Sequence, residues 1–119
     1  MISLVFPGQG SQYIGMGKDF FNNFPIAKEV YNEVDDVLGF SLSKLIFNGQ
    51  IEELTLTKNA QPAIMVTSIA ILKTLEKEGF NIKKSKFVAG HSLGEYTALC
   101  ASGAISLADT AHILKMRGI

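Results

Sequence analysis

Several absences narrow what this sequence can do. One cysteine, Cys100, stands in 119 residues, so neither an intrachain disulfide nor a cysteine-based metal cluster can form. A reducing compartment is the expected setting. There is no excess of either charge: 11 Lys and Arg balance 11 Asp and Glu, leaving no electrostatic case for nucleic acid as a partner. No basic leader region opens the chain, and Pro7-Gly8-Gln9-Gly10 interrupts it before a signal-type apolar stretch could form. No membrane span is evident either. The longest apolar-rich stretch, Ala60 to Leu72, contains Gln61, Thr67 and Ser68 and is too short for a bilayer. Repeats, low-complexity segments and linkers are absent. What is left is one domain's worth of globular chain, 47% apolar and 18% charged, with the cytoplasm as its expected address and no metal site.

The chain is organised around Gly90-His91-Ser92-Leu93-Gly94. A short apolar run (Phe87, Val88, Ala89) precedes it and a helix-like run from Glu95 to Ala101 follows. Gly-x-Ser-x-Gly between strand and helix has the form of a nucleophile elbow. Side chains two residues either side of the serine would collide in so tight a turn, and Gly90 and Gly94 remove both clashes. The backbone N–H of Leu93 would then lie at a helix N-terminus, where partial positive charge can stabilise an oxyanion. The same pentapeptide also occurs in ordinary loops.

Ile2 to Phe6 reads as a strand with both faces covered. It runs into Pro7-Gly8-Gln9-Gly10-Ser11-Gln12, which fails two Gly-rich fingerprints. A dinucleotide motif needs glycine where Tyr13 stands. A phosphate loop ending at Gly17-Lys18 needs glycine at Gln12 and Ser or Thr at Asp19. The loop is either a source of backbone N–H groups for an anion or a plain tight turn.

An amphipathic helix is predicted from Pro25 to Leu38, with Ile26, Val30, Val34 and Val37 on one stripe and Gly39 as its stop. Ser41 to Phe47 reads as a short helical turn, and Ile51 to Leu56 is ambiguous. A core helix is expected from about Ala60 to Glu78, capped by Asn59, with Pro62 in its first turn and Gly79 as its end. Met65, Ile69 and Leu72 centre its buried stripe, and Ile64, Val66, Ile71 and Leu75 widen it. Lys83, Lys84 and Lys86 form a basic run, read as a solvated loop before a strand or as a docking patch for an acidic partner. Ser106 and Asp109 resemble a capping box that opens a helix to about Arg117, with Leu107, Ala111 and Leu114 on its apolar face.

Two strands, each followed by helix, predict an α/β fold: a parallel sheet covered by helices, with a strand–elbow–helix unit. Ligands in such sheets lie beyond the carboxyl ends of the strands, which would put the Gln9 loop and Ser92 on one edge. The Gln9 and Leu93 N–H groups then make a two-donor oxyanion hole. The helix from Leu93 travels roughly 15 Å at ~1.5 Å per residue, and the helix ending at Arg117 returns about as far. Arg117 is thereby brought level with Ser92, where a guanidinium suits a substrate carboxylate. An arginine favoured only by its helix dipole is the alternative. His91 is adjacent to Ser92 and points away from it, His112 lies mid-helix, and Cys100 reads as core. The sequence has a nucleophile without its base.

Phe6-Pro7-Gly8-Gln9-Gly10-Ser11-Gln12, Gln61-Pro62-Ala63, Gly90-His91-Ser92-Leu93-Gly94-Glu95-Tyr96 and Met116-Arg117-Gly118 resemble the malonyl-CoA:acyl carrier protein transacylases, acyltransferases of fatty-acid and polyketide synthesis. The resemblance covers the whole chain. It implies a ping-pong transfer in which Ser92 takes the malonyl group from coenzyme A and yields it to acyl carrier protein, with no bound cofactor. It also implies Gln9 and Leu93 as oxyanion-hole residues and Arg117 as the partner of the malonyl carboxylate.

The departure is length. The family is more than twice as long, and its catalytic histidine follows an inserted ferredoxin-like subdomain. Residues 1–119 are therefore expected to be the N-terminal part of the larger acyltransferase subdomain, inactive alone. Two strands would also leave open sheet edges. Two rival readings are a patatin-like serine hydrolase, which would need no cation facing its acyl pocket, and a non-catalytic piece that associates with its complementary half.

Overall fold

The computed structural model describes residues 2–79, 85–90 and 93–118, with the backbone alone for 2–4 and 85–90. In chain order the elements are β1 (Ile2–Phe6), α1 (Lys18–Asn23), α2 (Pro25–Leu38), α3 (Leu42–Asn48), α4 (Ile51–Thr55), α5 (Thr57–Lys77), β2 (Ser85–Gly90), α6 (Leu93–Ala101) and α7 (Leu107–Arg117). The described part is mostly helical. Its two strands pair in parallel, from Ser3 opposite Phe87 to Phe6 opposite Gly90. Parallel partners cannot be joined by a hairpin, and the connection here is the whole run of helices α1 to α5. Phe6 turns into the core at 8% exposure, while Val5 on the other face is 76% exposed.

α5 is the axis of the fold, packed by α2, α6 and α7. Met65, Ile69 and Leu72 are buried as the periodicity predicts, together with Ile64 and Val66. Each such side chain contributes about 1.5–3 kcal/mol relative to exposure. Leu75, expected to widen the stripe, is instead 47% exposed. It lies in the last turns, where Thr74 and not Leu75 is the buried side chain.

The start of α5 also departs from expectation. The helix begins at Thr57, after an extended Leu56 with no side-chain cap, so Pro62 lies inside it. Asn59 is not a cap. It is buried, and its Nδ2 donates to the Glu53 carbonyl at 3.0 Å, tying α5 back to α4. Local capping preference lost to a tertiary bond. The far end agrees with the sequence: Gly79 is left-handed at φ 113° and donates to the Glu76 carbonyl.

α2 starts with proline in its first turn and ends at a left-handed Gly39, φ 77°. Its buried face is Ala27, Val30, Tyr31 and Val34, with Ile26 and Val37 flanking it half-buried. The stripe is turned toward Tyr31, whose ring packs edge-on to Phe21 and against Phe47. Tyr31 Oη donates to Thr67 Oγ1 on α5 at 2.8 Å and lies 3.3 Å from the Met16 carbonyl. Burial pushes its pKa up to about 12. At α7, Ser106 Oγ accepts from the Asp109 N–H at 3.1 Å, as a cap should. Lys86 falls within β2, whereas Lys83 and Lys84 lie outside the described residues.

Candidate active site

Four sequence-distant segments meet at the carboxyl end of β1. The first contact is made by a missing atom. A Cβ on Gly94 would collide with the Phe6 carbonyl oxygen, so glycine lets the first turn of α6 sit directly on the end of β1. Leu93, the first residue of α6, is buried at 1% exposure. Gly94 thus serves packing between helix and strand, a role the elbow pattern alone does not disclose.

Two residues past Pro7, the Gln9 side chain reaches across to α5. Its Nε2 donates to Thr57 Oγ1 at 3.1 Å, and its Oε1 accepts from Gln61 Nε2 at 3.4 Å. The loop is shaped locally as well. Gln12 Oε1 accepts from the Gly10 N–H at 2.8 Å, and Ser11 Oγ donates to the Gly8 carbonyl at 2.8 Å. Among the described residues no hydrogen bond engages the Gln9 N–H. The Gln12 and Ser11 bonds give the loop the tight turn that was one of the two readings of its sequence.

A second glycine closes the arrangement from the other side. A Cβ on Gly118 would collide with the backbone of Lys58 and approach that of Thr57. The end of α7 therefore rests on the first turn of α5. Pro62, four residues on, carries no N–H for the Lys58 carbonyl. Arg117, next to Gly118, is exposed and holds its guanidinium carbon 4.8 Å from the centre of the Tyr96 ring, on the first turn of α6. The contacts form a ring: the end of β1, α6, Tyr96, Arg117, Gly118, Thr57, Gln9 and the end of β1 again.

The structure thus brings together Gln9, the start of α6 at Leu93, and Arg117. Ser92 and His91 lie outside the described residues. His112 is exposed on α7, and Cys100 is half-buried, its thiol pKa raised by burial. Neither joins the ring. The electrostatics suit an anion. α6 presents its positive end, and Arg117 at the end of α7 stands over it, whereas Lys115 turns away to the Phe40 ring. Gln61 is buried at 7% exposure, and among the described residues its Oε1 has no hydrogen-bond partner. A groove of about 530 Å³ lies behind the loop, between Tyr13, Met16, Phe20 and Ile64, and its described lining includes none of Gln9, Leu93 or Arg117. Thr57 could not be found from sequence, because its only link to Gln9 spans 48 positions of chain.

With that geometry in hand, comparison with known proteins is informative. Residues 3–118 match the model of the acyl transferase domain. The malonyl CoA-acyl carrier protein transacylase of Bacillus subtilis (strain 168) is 51% identical over 117 residues, which are 98% of this chain and 36% of that protein. Its namesake from Escherichia coli (strain K12) is 41% identical over 116 residues, 98% of this chain and 37% of the relative. The crystal structure of acyl-carrier-protein-S-malonyltransferase from Bartonella henselae superposes with a TM-score of 0.96 at 56% identity, covering 98% of this chain and 38% of that one. A malonyl-transacylase solved in complex with its type II PKS acyl-carrier protein gives a TM-score of 0.93 at 39% identity, covering 98% of this chain and 37% of that one. The chain spans little more than a third of the length of these relatives. Among the described residues no helix is long and apolar enough to cross a membrane. A domain match over nearly every residue, and relatives of 41 to 56% identity along almost the whole chain, lead to one conclusion: the chain belongs to the acyl transferase domain family.

Proposed function

We propose that this chain is the nucleophile-bearing part of a malonyl-CoA:acyl carrier protein transacylase. The observation that carries the proposal is the ring at the end of β1, which gathers an available backbone donor at Gln9, a helix N-terminus at Leu93 and a guanidinium at Arg117. Ser92 is bonded to Leu93, the first residue of that helix. In this reading Gly90 to Gly94 is a nucleophile elbow between a parallel strand and α6. Ser92 Oγ attacks the thioester carbonyl carbon of malonyl-CoA, and its proton passes to a base. The carbon–sulfur bond breaks, and coenzyme A leaves as its thiol. The phosphopantetheine thiol of acyl carrier protein then attacks the seryl ester, giving malonyl-acyl carrier protein and the free serine.

In both half-reactions negative charge gathers on the carbonyl oxygen. The Gln9 and Leu93 N–H groups are the donors that would meet it. Arg117 takes the free carboxylate, which a planar guanidinium can bind through two parallel hydrogen bonds. His112 is exposed on α7 and His91 adjoins the serine, so neither suits the role of base. We assign that role to a histidine in the length of the relatives that this chain does not span, together with the ferredoxin-like subdomain. A cytoplasmic location accords with the composition and with these substrates. The names of the relatives favour transfer over hydrolysis.

Incubating the complete enzyme with malonyl-CoA should add one malonyl group, located on Ser92 by peptide mapping. Ser92→Ala should abolish the adduct. An undiminished adduct on the mutant by intact-protein mass spectrometry would remove Ser92 from the mechanism.

A further inference from the structure

One turn of α5 grips the Gln9 side chain at both ends. Thr57 and Gln61 are four residues apart, so they stack on the same face of the helix at a spacing of about 5–6 Å. A primary amide fits that gap because it donates at one end and accepts at the other. Nε2 is on Thr57 Oγ1 at 3.1 Å, and Oε1 is on Gln61 Nε2 at 3.4 Å. The same turn bears the Lys58 backbone against which Gly118 packs, next to Arg117. Both arms of the ring are therefore referred to one turn of helix.

We propose that Thr57 and Gln61 are positioning residues for the Gln9 N–H, holding it at a fixed place relative to Arg117. This inference rests on the reading of Gln9 as an oxyanion donor. Neither residue touches the acyl group; each acts through the Gln9 amide. Two observations separate this role from ordinary packing. Thr57 sits half-exposed at the rim, where its hydroxyl contributes little to the core. Gln61 is buried, and among the described residues its side chain hydrogen-bonds to Gln9 alone, so its amide is tied to the loop and not to a core network. From Pro7 to Gln12 the clamp supplies the only long-range side-chain hydrogen bonds among the described residues; the later part of the same connection is held by Tyr31 at Met16 and by the Gly15 N–H on the Ile46 carbonyl.

The test is a mutant cycle in the complete enzyme, read as the rate of malonyl-enzyme formation and as kcat and KM for malonyl-CoA. Thr57→Val keeps the shape and removes the acceptor. Losing an oxyanion donor outright costs about 10²–10³ in rate; loosening one should cost roughly tenfold in kcat, with KM changed less than about twofold. Thr57→Ser should restore most of the rate. Gln9→Ala should be as slow as Thr57→Val or slower, and adding Thr57→Val to it should cost nothing more, because the clamp then has nothing to hold. Two results overturn the proposal: Thr57→Val at the wild-type rate, or an undiminished Thr57→Val effect in the Gln9→Ala background. A wild-type enzyme that forms no malonyl adduct is a different failure, since it removes the transacylase reading and the clamp's purpose with it. A thermal midpoint for each variant identifies any that has simply unfolded.

Discussion

α5 carries two polar networks, and they are built to opposite rules. In the middle of the helix, Thr67 meets Tyr31 in a dry setting. The tyrosine is 1% exposed, its hydroxyl is hydrogen-bonded, and the rings of Phe21 and Phe47 pack against it and against each other. Ten residues earlier, Thr57 and Gln61 meet Gln9 at the rim, through bonds of 3.1 and 3.4 Å. A satisfied buried network makes the core unique and rigid. One at a solvent edge contributes less to stability. The difference separates two parts of one helix: the Tyr31 network belongs to the core, and the Gln9 contacts belong to the rim that the proposed site would use.

That contrast can be broken from the core side. Gly17 is left-handed at φ 77°, and a Cβ there would collide with Tyr31 Oη and crowd Thr67. Gly17→Ala should destabilise the enzyme by about 2–4 kcal/mol, adding overpacking to the cost of a left-handed alanine. The thermal midpoint should drop by several degrees while malonyl-enzyme formation by the folded fraction stays near normal. An unchanged midpoint would mean that the Tyr31 network is not the rigid one.

Tyr31→Phe is the next step down, with an expected loss of about 0.5–1.5 kcal/mol near neutral pH. Its sharper signature is at alkaline pH. The hydroxyl pKa is raised from 10.0 to about 12 by burial, so the unfolded state loses its proton first. The stability this provides is complete below pH 10 and is lost as pH rises toward 12, on the order of 2–3 kcal/mol. Denaturant titrations across that window should show the decline in wild type and a reduced slope in Tyr31→Phe. Equal slopes would contradict the assignment. Thr57→Val, smallest in stability, should lower the thermal midpoint by less than either core variant while still slowing acylation. Rate and stability separate along one helix.

How much of this was legible in the sequence follows the range of the forces involved. α2 and α7 were readable because their caps and stripes are local: Pro25 and Gly39 bound one, and Ser106 opens the other with a side-chain cap. Tyr31 escaped the predicted stripe because its value lies in a hydroxyl that finds Thr67, 36 positions away. The six-residue α1 has no period to detect and starts from a left-handed Gly17 without a side-chain cap. α5 was misjudged at its start because Asn59, a good cap by type, bonds to Glu53 in the tertiary fold.

At the site, glycines at 94 and 118 stood out as motif letters, but their collisions with Phe6 and Lys58 are visible only in three dimensions. The lengths of α6 and α7 predict Arg117 level with Ser92, which lies outside the described residues; the guanidinium stands over Tyr96, on the first turn of α6. Arg117 is exposed there, so a carboxylate partner for it in the complete enzyme belongs to the proposal.

The central claim is that this edge selects an acyl group bearing a free carboxylate. The most direct test is the ratio of malonyl to acetyl kcat/KM in the complete enzyme, for wild type and Arg117→Ala. Removing one partner of a hydrogen-bonded charge pair costs about 2–5 kcal/mol, or roughly 30- to several-thousand-fold. Acetyl offers no carboxylate and should be spared or even accelerated. The account predicts that the ratio collapses in Arg117→Ala, with the loss confined to malonyl. An equal slowing of both acyl groups would make Arg117 a helix-end residue and contradict the claim.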